Sequence, residues 1–114
     1  MPDCLFCKII AGNIPSTKVY EDEHTFAFRD INPKAPTHIL IVPKKHIATT
    51  NDLTPDNADV MAKIALTAGK LAADEGIAED GYRMVFNCNR LAGQTVFHIH
   101  MHLLGGRELG WPPG

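Results

Sequence analysis

Three cysteines in 114 residues are too few, and an odd number, for a disulfide framework, so the domain must rely on its packed core. Charge of either sign is not in excess: the formal net charge is -2 and the isoelectric point is near 6.3. A broad basic surface for duplex nucleic acid or an anionic membrane is therefore excluded as the main reading, while a nucleotide-sized ligand stays open. Long apolar runs are missing too, and no stretch approaches the roughly 18 residues of a membrane span. The opening Met1-Pro2-Asp3-Cys4 is not a basic segment leading into an apolar one, which sets the expectation of a cytoplasmic protein. Linkers and internal repeats have no room. With 45% hydrophobic residues, residues 1–114 are expected to form one compact domain.

The pattern of apolar residues predicts an α+β domain. Leu5, Phe6, Ile9 and Ile10 recur at helical spacing, and Gly12 and Pro15 end that short helix. Lys18–Tyr20 and Thr25–Arg29 read as two strands around the acidic turn Glu21-Asp22-Glu23, and Thr37–Val42 as a third strand ended by Pro43. Thr54-Pro55 reads as an N-cap followed by proline in the first helical turn. The long helix it opens carries Ala58, Met61, Ile64, Ala65, Ala68, Leu71 and Ala72 at helical spacing up to Gly76. Tyr82–Asn87 gives a fourth strand, Cys88–Ala92 a polar loop and Thr95–Leu104 a fifth strand. Helices set apart from antiparallel strands argue for a single five-stranded sheet with one long and one short helix. The tail Trp111-Pro112-Pro113-Gly114 cannot be regular structure, and its lone Trp is expected to dock on something.

The stretch with the most chemistry is the fifth strand. His98, His100 and His102 alternate with Ile99, Met101 and Leu103 and so share one face. Same-face neighbours on a strand lie about 6.5–7 Å apart, which favours a row of separate roles over one three-His metal site. A His-x-His metal site of the cupin kind would want a Glu a few residues on, and the first is Glu108. Cys4-x-x-Cys7 at the head of the first helix has the spacing of half a tetrahedral metal site.

His98-x-His100-x-His102 followed by Leu103-Leu104-Gly105-Gly106 resembles the histidine triad (HIT) family. Gly93-Gln94-Thr95, Pro36-Thr37-His38, Pro43-Lys44-Lys45-His46, Tyr82 to Asn87 and the closing Trp-Pro-Pro-Gly look like its Hint branch. The resemblance implies a homodimer with sheets joined edge to edge, the tail 105–114 reaching toward the partner's site, and hydrolysis of purine nucleoside 5'-phosphoramidates. His100 matches the nucleophile, whose inner nitrogen would donate to a backbone carbonyl. His102, Thr95 and Asn87 match groups that hold the phosphoryl oxygens or the leaving group, with His98 and His38 completing the catalytic set. Asp30 matches the residue that accepts from the ribose hydroxyls. Leu5, Phe6, Ile9, Ile14, Phe28 and Ile31 match positions around the base.

Two uses of one ring remain open. In part of the wider family a zinc site is completed by a His from the Lys-x-His region and the first His of the triad, which gives Cys4, Cys7, His46 and His98 as ligands of a structural zinc. The alternative is two packed thiols with His98 hydrogen-bonded to His38. Other readings of the activity are a dinucleoside polyphosphate hydrolase, as in the Fhit relatives, or a nucleotide-binding interaction module; the Trp-Pro-Pro-Gly tail argues against the Fhit branch.

Overall fold

The computed structural model describes residues 3–114. Five strands form one antiparallel sheet in the order β1-β2-β3-β5-β4: β1 Lys18–Glu21, β2 Thr25–Arg29, β3 Thr37–Pro43, β4 Tyr82–Phe86 and β5 Met101–Gly105. Helix α1 covers Leu5–Ile10 and α2 covers Asp59–Asp74. No helix among the described residues is long and apolar enough to cross a membrane.

Alternation along the strands gives the sheet two different faces. One carries Ala27, Ile39, Ile41, Met101 and Leu103, which pack under Ile64, Ala68 and Leu71 of α2. The other carries Phe26, Phe28, Leu40 and Val42, capped by Phe6 and Ile9 of α1. In antiparallel pairs, residues directly opposite share a face, so the pairs Leu40↔His102 and Val85↔His102 put His102 on the α1 side. Six residues of α1 cannot cover that face. The uncovered part is where the histidines stand. Below them, Glu75 at the end of α2 accepts two 2.9 Å bonds from the Arg29 guanidinium and one of 3.2 Å from Thr37 Oγ1, which ties the helix to β2 and β3.

Two elements start later than the sequence predicts, each for a local reason. The long helix starts at Asp59, a turn later than Thr54-Pro55 predicts. The turn from Thr54 is itself capped, with Asn57 Oδ1 accepting from Thr54 N–H at 2.7 Å and Ala58 N–H bonded to Thr54 O. Val60 and Met61 then bond only three residues back, to Asn57 and Ala58, before regular α-helical bonding begins. The last strand begins at Met101, not Thr95. Gln94 holds the segment before it to the carbonyls of Ala48 and Val96, and Ile99 N–H bonds to Ile47 O in place of a ladder partner. Within the expected polar loop 88–92, Arg90–Ala92 make a 3₁₀ turn, and a second one covers Thr50–Asp52. Trp111, expected to be docked, is 83% exposed in the single chain: Arg83 holds the tail by the Gly110 carbonyl at 2.7 Å, and the indole itself stands clear.

Gly106 ends the sheet with φ +92°, and a Cβ there would lie 2.9 Å from Cβ of the stiff Pro36 ring. Gly106→Ala should therefore cost about 1–3 kcal/mol through strain and overpacking. Chemical denaturation would measure it, and an unchanged midpoint would mean that the Pro36 loop yields freely.

Candidate active site and metal cluster

Two clusters of polar side chains lie along the uncovered face, and both are built on the His98–His102 stretch. In the first, His98, at the end of a bend, and His100 precede β5 while His102 lies within it. The rings still form a continuous row: the His100 and His102 centroids are 5.1 Å apart, and Phe6 meets His100 edge-on at 4.9 Å and His98 at 6.1 Å. The nearest ring spacing is shorter than ideal strand geometry gives because the rings lean toward one another.

Backbone groups set the proton on nearly every ring. His100 Nδ1–H donates to the carbonyl of His98 at 2.7 Å, so in the neutral ring Nε2 carries the lone pair. His38 Nδ1 accepts from the backbone N–H of Lys34 at 3.0 Å, which leaves the proton on Nε2. That N–H points at His102 Nδ1, 2.9 Å away, and His102 in turn must carry its own proton on Nε2. Asp30 Oδ2 lies 3.4 Å from His38 Nε2, and its Oδ1 accepts from Asn32 N at 2.8 Å. The row thus offers a lone pair on His100 beside an N–H on His102. The alternative of a His98–His38 hydrogen bond is overturned, because His38 is taken by His102.

Burial keeps these rings neutral. It is the leading cause that pushes His102 down to about 4, with His100 and His38 adding to it and Asp30 opposing. Burial also lowers His100 and His38, again against Asp30. A lone pair on nitrogen is what attack on phosphorus requires.

The second cluster joins Cys4, Cys7, His46 and His98. His98 Nε2–H donates to the carbonyl of Pro43 at 2.7 Å, so Nδ1 is unprotonated and faces the cysteines. Cys4 Sγ is 3.4 Å and Cys7 Sγ 3.5 Å from that nitrogen; His46 Nδ1 is 3.2 Å from it and 3.4 Å from Cys7 Sγ. Ligand atoms around a tetrahedral zinc at ordinary bond lengths are separated by about 3.3 Å for two nitrogens and about 3.6 Å for nitrogen and sulfur. The four residues fit a metal ion, and the Pro43 carbonyl supplies the outer partner that metal-bound imidazoles usually have. Burial first, then Cys4, pushes the Cys7 thiol up, and burial pushes His98 down to about 4.

The remaining sequence-predicted residues spread around the row. Asn87 directly follows β4, whose last paired residue, Phe86, lies opposite Met101. Thr95 is exposed and shares a pocket wall with Cys4, Leu5, His46, Val96 and Phe97. Phe6, Ile9 and Phe28 are buried core, Ile14 is half-buried against them, and Leu5 and Ile31 are exposed. The carbonyls of Pro43 and Ile47 and the N–H of Lys34 were beyond sequence reasoning: they act through backbone, and no residue type announces them.

Fold and site together define a nucleotide-scale histidine site on an α+β sheet, and the HIT domain profile matches residues 11–109; the chain belongs to the HIT family. It is 54% identical over 108 residues to the purine nucleoside phosphoramidase of Escherichia coli K12, covering 95% of this chain and 91% of that one. A HIT family hydrolase from Legionella pneumophila superposes with a TM-score of 0.96 at 60% identity, over 98% of this chain and 100% of the other. A HIT family hydrolase from Clostridium thermocellum gives 0.94 at 53% identity, over 96% of each.

His102 yields a pH prediction. Its folded value near 4 lies below the ordinary value of about 6.5, so on acidification the unfolded chain takes up this proton first. The stabilisation linked to His102 is complete above about pH 6.5 and is lost between there and about pH 4. Imidazole ¹⁵N spectra should keep His102 neutral at pH 5.5; a midpoint near 6.5 would refute the buried, His38-bonded arrangement.

Proposed function

We propose that this chain hydrolyses the P–N bond of purine nucleoside 5'-phosphoramidates, of the AMP-amine or AMP-lysine kind, through a nucleotidyl-histidine on His100. The observation that carries the proposal is the 2.7 Å bond from His100 Nδ1 to the His98 carbonyl, which aims the opposite lone pair outward beside a row of donors. The name of the E. coli relative supports the substrate class.

In the first step the His100 Nε2 lone pair attacks phosphorus and the bond to the amine breaks. His102 holds a phosphoryl oxygen or the departing nitrogen with its Nε2 hydrogen, helped by the Thr95 hydroxyl and the Asn87 amide. A phosphoryl anion arriving next to Asp30 favours one additional proton on the His38–His102 pair, and the leaving amine takes that proton. Water then opens the nucleotidyl-histidine, giving the nucleoside monophosphate and returning a proton to His102. Asp30, with one oxygen free of Asn32, accepts from the ribose hydroxyls; the base lies toward Leu5 and Ile31, over the buried Phe6, Ile9 and Phe28.

Zinc is the ion we assign to Cys4, Cys7, His46 and His98, since two thiolates and two imidazoles in tetrahedral spacing suit it. When bound it supplies structural cross-linking between α1, the segment after β3 and the segment before β5. A cytoplasmic setting suits free thiols at Cys4, Cys7 and Cys88. The assembly we assign is a homodimer joined at the β4 edge. Met84 on that strand, Leu66 on α2 and Trp111 in the tail are exposed apolar groups that a second copy would cover.

His100→Ala should lower kcat on a fluorogenic adenosine phosphoramidate by about 10⁴ or more. Turnover equal to the parent would reject the covalent route. Diadenosine tetraphosphate assayed in parallel should be the poorer substrate, and a reversed preference would move the chain to the polyphosphate hydrolases. Sedimentation should give a dimer, and Met84→Lys should shift it toward monomer; a monomeric parent would remove the edge-joined assembly.

A further inference from the structure

The His98–Ile99 peptide is held from both sides by groups adjacent to the cysteine-histidine cluster. Its carbonyl accepts the 2.7 Å bond from His100 Nδ1, and its N–H donates at 2.7 Å to Ile47 O. Ile47 follows His46, and His98 carries the carbonyl itself. Both histidines of the metal cluster therefore flank the one peptide plane that aims His100. That plane lies outside the sheet ladder, because β5 pairing begins only at Met101. Its position is set by the His46 and His98 anchors, not by strand pairing.

From this we infer that metal loading of Cys4, Cys7, His46 and His98 is a positioning device for His100, exerted through the His98–Ile99 peptide. His98 is a positioning residue here: one ring nitrogen holds Pro43 O, the other faces the two sulfurs and His46, and its backbone oxygen holds the nucleophile. A metal ion fixes these four ligand atoms to one point, whereas thiols and imidazoles alone can pair in several arrangements. Loosening there passes directly into the carbonyl that fixes the His100 tautomer. Asp30 is not on that route, whereas the base-side Leu5 and Phe6 lie between the two cysteines. The metal should then act on kcat through this carbonyl, and any change in KM would report Leu5 and Phe6. This inference rests on His100 being the nucleophile.

The test uses the whole protein purified without a His tag, stripped with chelator and reloaded with zinc. Three readouts are taken at neutral pH: bound zinc per chain, the ¹H–¹⁵N signal of the His100 Nδ1–H without substrate, and kcat and KM on an adenosine phosphoramidate. We expect one zinc per chain, a slowly exchanging His100 Nδ1–H in the loaded form that broadens or vanishes in the stripped form, and a 10- to 100-fold loss of kcat, on the order seen when an outer-shell partner is lost. Cys7→Ser should give the same signal loss at limiting zinc. A stripped protein that stays folded by circular dichroism with an unchanged His100 signal and kcat overturns the inference, as does failure to bind zinc. Global unfolding of both the stripped protein and Cys7→Ser also overturns it, because the metal would then hold the whole fold and not this peptide. A zinc-loaded protein with the expected signal and no turnover would instead reject the phosphoramidase reading and leave the clamp standing.

Discussion

Imidazoles can be buried side by side only if every ring nitrogen meets a partner of opposite hydrogen-bonding character, and this constraint organises the molecule. A ring with two donors facing it, or two acceptors, would be charged or unsatisfied at high cost in a dry site. Three backbone groups resolve the problem. Pro43 O fixes His98, His98 O fixes His100, and Lys34 N–H fixes His38 and through it His102. No buried side-chain polar atom among the described residues lacks a partner. Neutral rings with known tautomers are the result, and the chemistry follows from which nitrogen is left over.

The fold serves this arrangement by leaving part of one sheet face uncovered. Helix α2, sixteen residues long, closes the opposite face with Ile64, Ala68 and Leu71. Helix α1 has six residues and closes only the end where Phe26, Phe28 and Val42 lie. Phe6 does two things at once: it seals that smaller core against Phe28 at 5.4 Å and presents its edge to His100. The core is therefore the floor of the site, and a cavity made under His100 would disturb the nucleophile as well as stability.

Much of this was legible in the sequence where side chains carry the signal. Alternation at Thr25–Arg29 and Thr37–Val42 gave the right strands, and in the His-x-His-x-His row it gave the right face for His102, because a period of two is a direct consequence of the pleat. Cys4-x-x-Cys7 was legible from its spacing as half a metal site, while His46 and His98 came from the resemblance to relatives. What failed was decided by backbone partners. The segment 94–100 alternates like a strand yet bonds to Ile47 and Ala48, and the turn that Thr54-Pro55 opens passes through three-residue bonds at Val60 and Met61 before α2 begins. Trp111 finds no cover within its own chain, so any surface it docks on must belong to another molecule, which the sequence of one chain does not display. The choice between a His98–His38 bond and a His98 metal ligand could not be made from spacing, since it turns on a carbonyl at Pro43.

Proton placement also separates the two clusters, which ligand spacing alone does not. Asp30, His38 and His102 bring their ligand atoms as close together as Cys4, Cys7, His46 and His98 do. A metal on His38 Nε2 would displace the proton there while Lys34 N–H still points at Nδ1, so the ring would have to become an imidazolate or break the Lys34 bond. A metal on His98 Nδ1 displaces nothing, because the ring proton is already committed to Pro43 O. The first cluster is wired to hold and pass a proton, the second to hold a cation. One strand end serves both because the direction of a single backbone bond at each ring decides which nitrogen faces the site.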